Sequence, residues 1–217
     1  MKNASGFDRR WTGLLLFAAL ILPSHTVSAQ SGRGLALGFG LGRFVPLNAL
    51  ATADGEAVEY KLKGAGASFI AIDYWYTRWL GTRLAYQWVR PEMAEPEGPS
   101  YARLYSGQLA ALIAPVQIGR RAKPFLIAGA GLRRYDVNAL VTSGDIVWDI
   151  APRQNRVAGY GGAGVIVRAG STQILPEVGA FTNSFRHQFP CQNCSDQRDG
   201  QLDLLLTLQI QIASQRR

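Results

Sequence analysis

The stretch Gln201-Leu-Asp-Leu-Leu-Leu-Thr-Leu-Gln-Ile-Gln-Ile212 decides the fold. Leu202, Leu204, Leu206, Leu208, Ile210 and Ile212 fall on one parity, and Gln201, Asp203, Leu205, Thr207, Gln209 and Gln211 on the other. Side chains of a β-strand point alternately to opposite faces, so one face is an aliphatic ribbon and the other is polar apart from Leu205. A helix would scatter these leucines around its circumference. The run is too long for an ordinary core strand, and it suits a tilted membrane-crossing strand of ~9–11 residues.

A second stretch fixes which face points where. In 34–44, Leu35, Leu37, Phe39 and Leu41 oppose Gly34, Ala36, Gly38, Gly40 and Gly42. A soluble lipocalin-like barrel would turn the leucines inward and leave the glycines in water, where they only weaken the strand. Inside a narrow barrel, small residues leave room for large neighbours. The leucines are therefore assigned to lipid and the glycines to the lumen.

Alternation marks six more strands, though poorly in 102–115. They lie near 67–77, 82–90, 102–115, 125–137, 157–168 and 172–183, with 201–212 as the eighth. Residues 45–66, 91–100, 138–155 and 184–200 read as long loops. The connections Arg78 to Gly81, the turn holding Gly119, Arg120 and Arg121, and Ala169-Gly170-Ser171 are short. Long and short connections thus alternate. Tyr76 and Trp79 lie at a short-turn end, and Trp88 and Tyr105 toward a long-loop end, as two interfacial girdles require. Pro176 falls inside the seventh strand, where a missing N–H predicts a local bulge or a different boundary.

Residues 1–29 read as a cleaved secretory signal, with Lys2, Arg9 and Arg10 ahead of the apolar run Trp11 to Leu22 and the site Val27-Ser28-Ala29. Residues 30–217 then form one domain. The net charge of +8 fits an anionic membrane surface. Export and the lack of a Lys/Arg run argue against nucleic acid.

With the strands placed, the chain resembles the small eight-stranded outer-membrane β-barrel family of OmpA and OmpX type. The carriers are Gly34 to Gly42, the hairpin Ser68–Trp88, the segments Phe125–Leu132 and Gly161–Val167, and the final strand. The resemblance implies an all-β, antiparallel, up-and-down transmembrane barrel in the outer membrane of a Gram-negative envelope, with both termini periplasmic. It also implies outer-membrane lipid, lipopolysaccharide and the outer-membrane assembly machinery as partners. The chain departs from the family in ending on Ile212-Ala-Ser-Gln-Arg-Arg217 rather than on a terminal aromatic.

Charge inside strands is sparse. Asp73, Arg83, Gln87, Arg133, Arg168, Glu177, Asp203 and Gln209 take the lumen parity, because a lipid-facing Lys or Arg at mid-depth costs ~2–4 kcal/mol. An eight-stranded barrel is just wide enough for side chains to fill. A salt-bridge plug is therefore expected, with Glu177 paired to Arg83 or Arg133; a narrow solute path is the alternative. Arg43, Arg90, Arg103, Arg134, Arg186 and Arg198 take the outward parity at the long-loop end, a rim suited to lipopolysaccharide phosphates. Ordinary snorkelling of long side chains also fits that rim.

Cys191-Gln-Asn-Cys194, in an exported chain with no other cysteine, reads as a local disulfide. A redox CxxC would sit near a βαβ pattern, and a metal site would need more ligands, so no metal and no cofactor are expected. Ser184, His187 and Glu177 are the only Ser/His/acid group close in sequence. Lipid A acyl hydrolases of this architecture place His two residues before Ser, and this order does not match. The expected role is structural or surface-interacting, with envelope integrity or adhesion through the long loops as its forms. A small-solute or apolar-molecule channel and a lipid A-modifying enzyme are the alternatives.

Overall fold

A computed structural model describes residues 34–48, 51–52, 59–60, 62–92, 101–118, 121–143, 146–150, 153–170, 172–187 and 197–215. Its strands are β1 (Gly34–Pro46), β2 (Ala51–Thr52), β3 (Glu59–Tyr60), β4 (Ala65–Trp75), β5 (Leu80–Val89), β6 (Tyr101–Ile113), β7 (Ala122–Ser143), β8 (Ile146–Ile150), β9 (Gln154–Ala169), β10 (Thr172–His187) and β11 (Gln197–Gln215). Eight of them close a barrel in the order β1-β4-β5-β6-β7-β9-β10-β11, and β11 pairs back onto β1. Every pairing is antiparallel. Closure leaves the barrel wall with no open sheet edge.

The register fixes the tilt. Hydrogen-bonded neighbours traced from Gly34 run through Trp75, Gly81, Leu112, Ile127, Gly162, Gly179 and Leu205 and return to β1 at Phe44. One circuit therefore climbs from Gly34 to Phe44. With the usual rise and strand spacing, that offset tilts the strands by about 40° from the axis. The same offset stacks side chains from strands far apart in sequence at one level of the lumen.

Burial is inverted relative to a water-soluble barrel. Leu41 is 71% exposed, Leu208 56% and Leu126 59%, while Gln209 and Gln211 are wholly buried. The glycines of β1 have the role assigned to them. A Cβ on Gly38 would come 2.8 Å from Gln211 Cγ, and one on Gly40 would come 3.0 Å from both Gln209 Cγ and a Phe69 ring carbon. Each missing side chain makes room for a neighbour's amide.

Three sequence expectations change. The segment 138–155 is mostly strand, because β7 continues to Ser143 and β8 pairs with it through Val141 and Trp148 before β9 begins. Extension of the ladder beyond the barrel rim satisfies backbone groups that a long loop would leave to water. Similarly, β2 and β3 form a small hairpin within 45–66, and β10 and β11 extend into 184–200. Finally, Pro176 does not introduce a bulge. The β9–β10 register is the same on either side of it, so no extra residue is inserted. Instead, pairing toward β9 lapses at Leu175 and Pro176 while pairing toward β11 runs through. The proline lacks the N–H that the β9 side would use. A purely apolar dent of about 560 Å³ lies on the outer wall there, bounded by Leu41, Val165, Pro176, Val178, Leu206 and Leu208 among others.

Candidate functional site

The lumen holds two polar layers. In the first, Arg83 of β5 faces Asp73 of β4, its direct cross-strand neighbour. Arg83 Nε donates to Asp73 Oδ1 at 2.7 Å and Nη2 to Asp73 Oδ2 at 2.8 Å, a bidentate pair. Its Nη1 donates to Glu177 Oε2 of β10 at 2.5 Å. Tyr160 of β9 donates its hydroxyl to Glu177 Oε1. Two amides of β11 complete the layer: Gln209 Nε2 donates to Glu177 Oε2 at 3.1 Å, and Gln211 Nε2 to Asp73 Oδ2 at 2.7 Å. The guanidinium also lies 5.6 Å from the Phe125 ring centroid and 6.0 Å from that of Phe69. Six barrel strands thus contribute to the layer around one wholly buried guanidinium.

The second layer is nearer the long-loop end. Arg133 Nη1 of β7 lies 2.7 Å from Asp203 Oδ2 of β11, an ion contact not aligned as a hydrogen bond. Its Nε and Nη2 have no hydrogen-bond partner among the described residues. The rings of Phe181, Tyr135 and Phe44 surround it at 5.0, 5.3 and 5.4 Å, and offset part of its desolvation through cation–π attraction. Tyr135 and Asn183 exchange hydrogen bonds above it, at 2.8 Å and 3.1 Å.

Of the residues expected in the lumen, Asp73, Arg83, Glu177 and Gln209 come together in the first layer, and Arg133 with Asp203 in the second. Glu177 takes Arg83 as its partner, not Arg133. Gln87 is buried on the same wall, but its Nε2 has no partner among the described residues. Arg168 has the inward parity yet does not join either layer. It stands one residue before the end of β9, half-buried at the short-turn mouth. Parity gave its face, and its height along the strand excludes it. Gln211 and Tyr160 belong to the first layer and were not expected there, although both carry the inward parity of their strands. Phe44, Tyr135 and Phe181 around Arg133 likewise follow from parity once the strands are laid side by side.

Arg43, Arg90, Arg103 and Arg134 are exposed at the long-loop end. Arg186 and Arg198 are direct partners in the β10–β11 ladder, and their side chains lie outside the described residues. Cys191, Cys194 and the proposed signal 1–29 also lie outside them. Ser184, His187 and Glu177 do not form a group. All three lie on β10, where Ser184 and His187 have opposite parity. Glu177 is ten positions from His187, roughly 33 Å along a strand.

These features define a closed eight-stranded up-and-down barrel with an apolar exterior and an ion-paired interior. No protein-family model matches the chain, and no curated protein matches it. Solved structures do. Neisserial surface protein A is similar over 85% of this chain and 99% of its own, at a TM-score of 0.53 and 14% identity. OprG of Pseudomonas aeruginosa covers 86% and 98%, at 0.54 and 8%. Outer membrane protein W of E. coli covers 86% and 100%, at 0.52 and 12%. The chain has the fold of the small eight-stranded outer-membrane barrels. At these identities the likeness is one of fold alone.

Proposed function

We propose that this chain is an integral outer-membrane protein whose barrel is a filled support for its long-loop end, with a structural or surface-interaction role in the envelope. One observation carries the reading. Leu208 is 56% exposed, while its neighbours along the strand, Thr207 and Gln209, are buried, as are Gln211 and Asp203. Water would reverse that arrangement, and lipid stabilises it. In this reading the short turns and both chain ends face the periplasm, and the loops face outward. The side chains that fill both polar layers favour support over transport. The test is a planar-bilayer recording on the purified, folded protein. No steady conductance is expected; a large steady conductance would replace this reading with the channel alternative.

The outward arginines support a specific lipid contact. Arg43, Arg90, Arg103 and Arg134 are exposed on the outer wall at the end assigned to the outer leaflet, and Arg186 and Arg198 oppose one another in register. Like charges directly opposite destabilise a strand pair, and a shared phosphate relieves that. Replacing Arg43, Arg90, Arg103 and Arg134 with Ala is expected to lower the lipopolysaccharide retained on purification. Unchanged retention would leave ordinary snorkelling as the account.

A further inference from the structure

The charged residues in the connections at the opposite end of the barrel are all cations. The connections there, 74–81, 114–123 and 167–173, contain Arg78, Arg120, Arg121, Lys123 and Arg168 and no Asp or Glu. The nearest wall acid, Asp73, points into the lumen and is taken by Arg83. Four of these cations are described, and the fold draws them together. Lys123 donates from Nζ to the Arg78 carbonyl and lies 4.0 Å from the Trp75 ring centroid. Arg168 N donates to the Arg121 carbonyl at 2.9 Å, so these two arginines flank the same end of the β7–β9 ladder. Cations at one end of the barrel with no acid in the same connections leave their charge to be balanced by an anion.

The surroundings identify the anion's source. Trp79, Val116 and Ile118 are exposed in the same connections, at 47%, 56% and 62%, and Tyr74 and Tyr76 are exposed just above them. Turns with apolar and aromatic residues on their surface lie in a bilayer interface and do not reach into solvent. Cations interleaved with them stand at the depth of lipid headgroups. We propose that Arg78 and Arg121, both exposed in these turns, form a site for anionic phospholipid, binding headgroup phosphate in the leaflet at the short-turn end. This rests on the membrane reading above. The long-loop end, where acids and bases are mixed, does not share the character of this site.

The test uses the full chain folded into phosphatidylcholine vesicles, with spin-labelled phosphatidylglycerol or phosphatidylcholine as the probe of the lipid shell. The variant is Arg78→Gln/Arg121→Gln; Lys123 is kept because it braces the Arg78 turn, and Arg168 because it takes the lumen parity. Each basic group near a charged surface is worth roughly a fivefold preference. Wild type should therefore favour phosphatidylglycerol at least tenfold at low salt, and the variant should approach no preference. An Arg78→Lys/Arg121→Lys variant should retain most of it, because the attraction is mainly of charge. Equal preference in wild type and the Gln variant would overturn the inference. So would retention by purified peptidoglycan that the variant loses while its lipid preference stays unchanged. Insertion into vesicles with no preference for lipid charge would sink this inference alone; failure to insert at all would overturn the membrane reading with it.

Discussion

Removing the Arg83 guanidinium should nearly unfold the barrel, and removing its partners' charges with it should largely restore it. Arg83→Met deletes three charge-assisted hydrogen bonds, two to Asp73 and one to Glu177. Two buried carboxylates then remain with Gln211, Gln209 and Tyr160 as their side-chain donors among the described residues. Stripping one partner from a buried ion pair costs about 3–5 kcal/mol. Here one cation serves two acids, so the upper end applies, about 5 kcal/mol, comparable to the whole stability of many proteins. In Arg83→Met/Asp73→Asn/Glu177→Gln no uncompensated charge remains, and the amides can still accept from Gln211 and Tyr160. That variant should come within about 2 kcal/mol of wild type. The assay is urea unfolding of the protein in lipid vesicles, followed by tryptophan fluorescence and by the gel shift between folded and unfolded forms. A single variant within about 1 kcal/mol of wild type would refute the reasoning. A triple variant no more stable than the single one would refute it as well, because the cost would then come from lost volume and not from stranded charge.

The remaining predictions use the same assay except where stated. Leu208→Arg should cost ~2–4 kcal/mol if the outer wall meets lipid at mid-depth, whereas on a water-facing surface the change would stay within ±0.5 kcal/mol. Gly38→Ala would force its Cβ against Gln211, 2.8 Å from Cγ, and disturb the bond to Asp73; a loss of about 1–2 kcal/mol is expected. Gly107→Ala, on the outer face with no atom within 4 Å of the new Cβ, should change stability by less than about 0.5 kcal/mol. Pro176→Ala restores an N–H where the β9–β10 pairing lapses, so amide exchange at Val165 and Ile166 should slow; unchanged exchange would show that the gap has another cause.

The alternation of Gln201–Ile212 and of Gly34–Phe44 was enough to read the barrel, because a strand's period of two fixes which face each residue takes whatever the register. For that reason the lumen assignments of Asp73, Arg83, Arg133, Glu177 and Asp203 and the lipid assignments of Leu41 and Leu208 follow from the chain alone. The β7–β8 extension reads as loop from the chain alone, although Leu140-Val141 and Ile146-Val147-Trp148 around Gly144-Asp145 carry a hairpin-like pattern.

Height along the barrel was not legible, because it depends on how far each strand slides against its neighbours. The circuit that leads from Gly34 back to Phe44 sets Arg83 against Glu177, 94 residues away, and gives Arg133 to Asp203. The same offset leaves Arg168 at the mouth, away from both ion-paired layers. It also gathers the basic residues of three separate turns at one rim. Local sequence determined the side to which each residue points. Only the closed, staggered sheet decided which residues meet, because shear is a property of all eight strands together and of no single one.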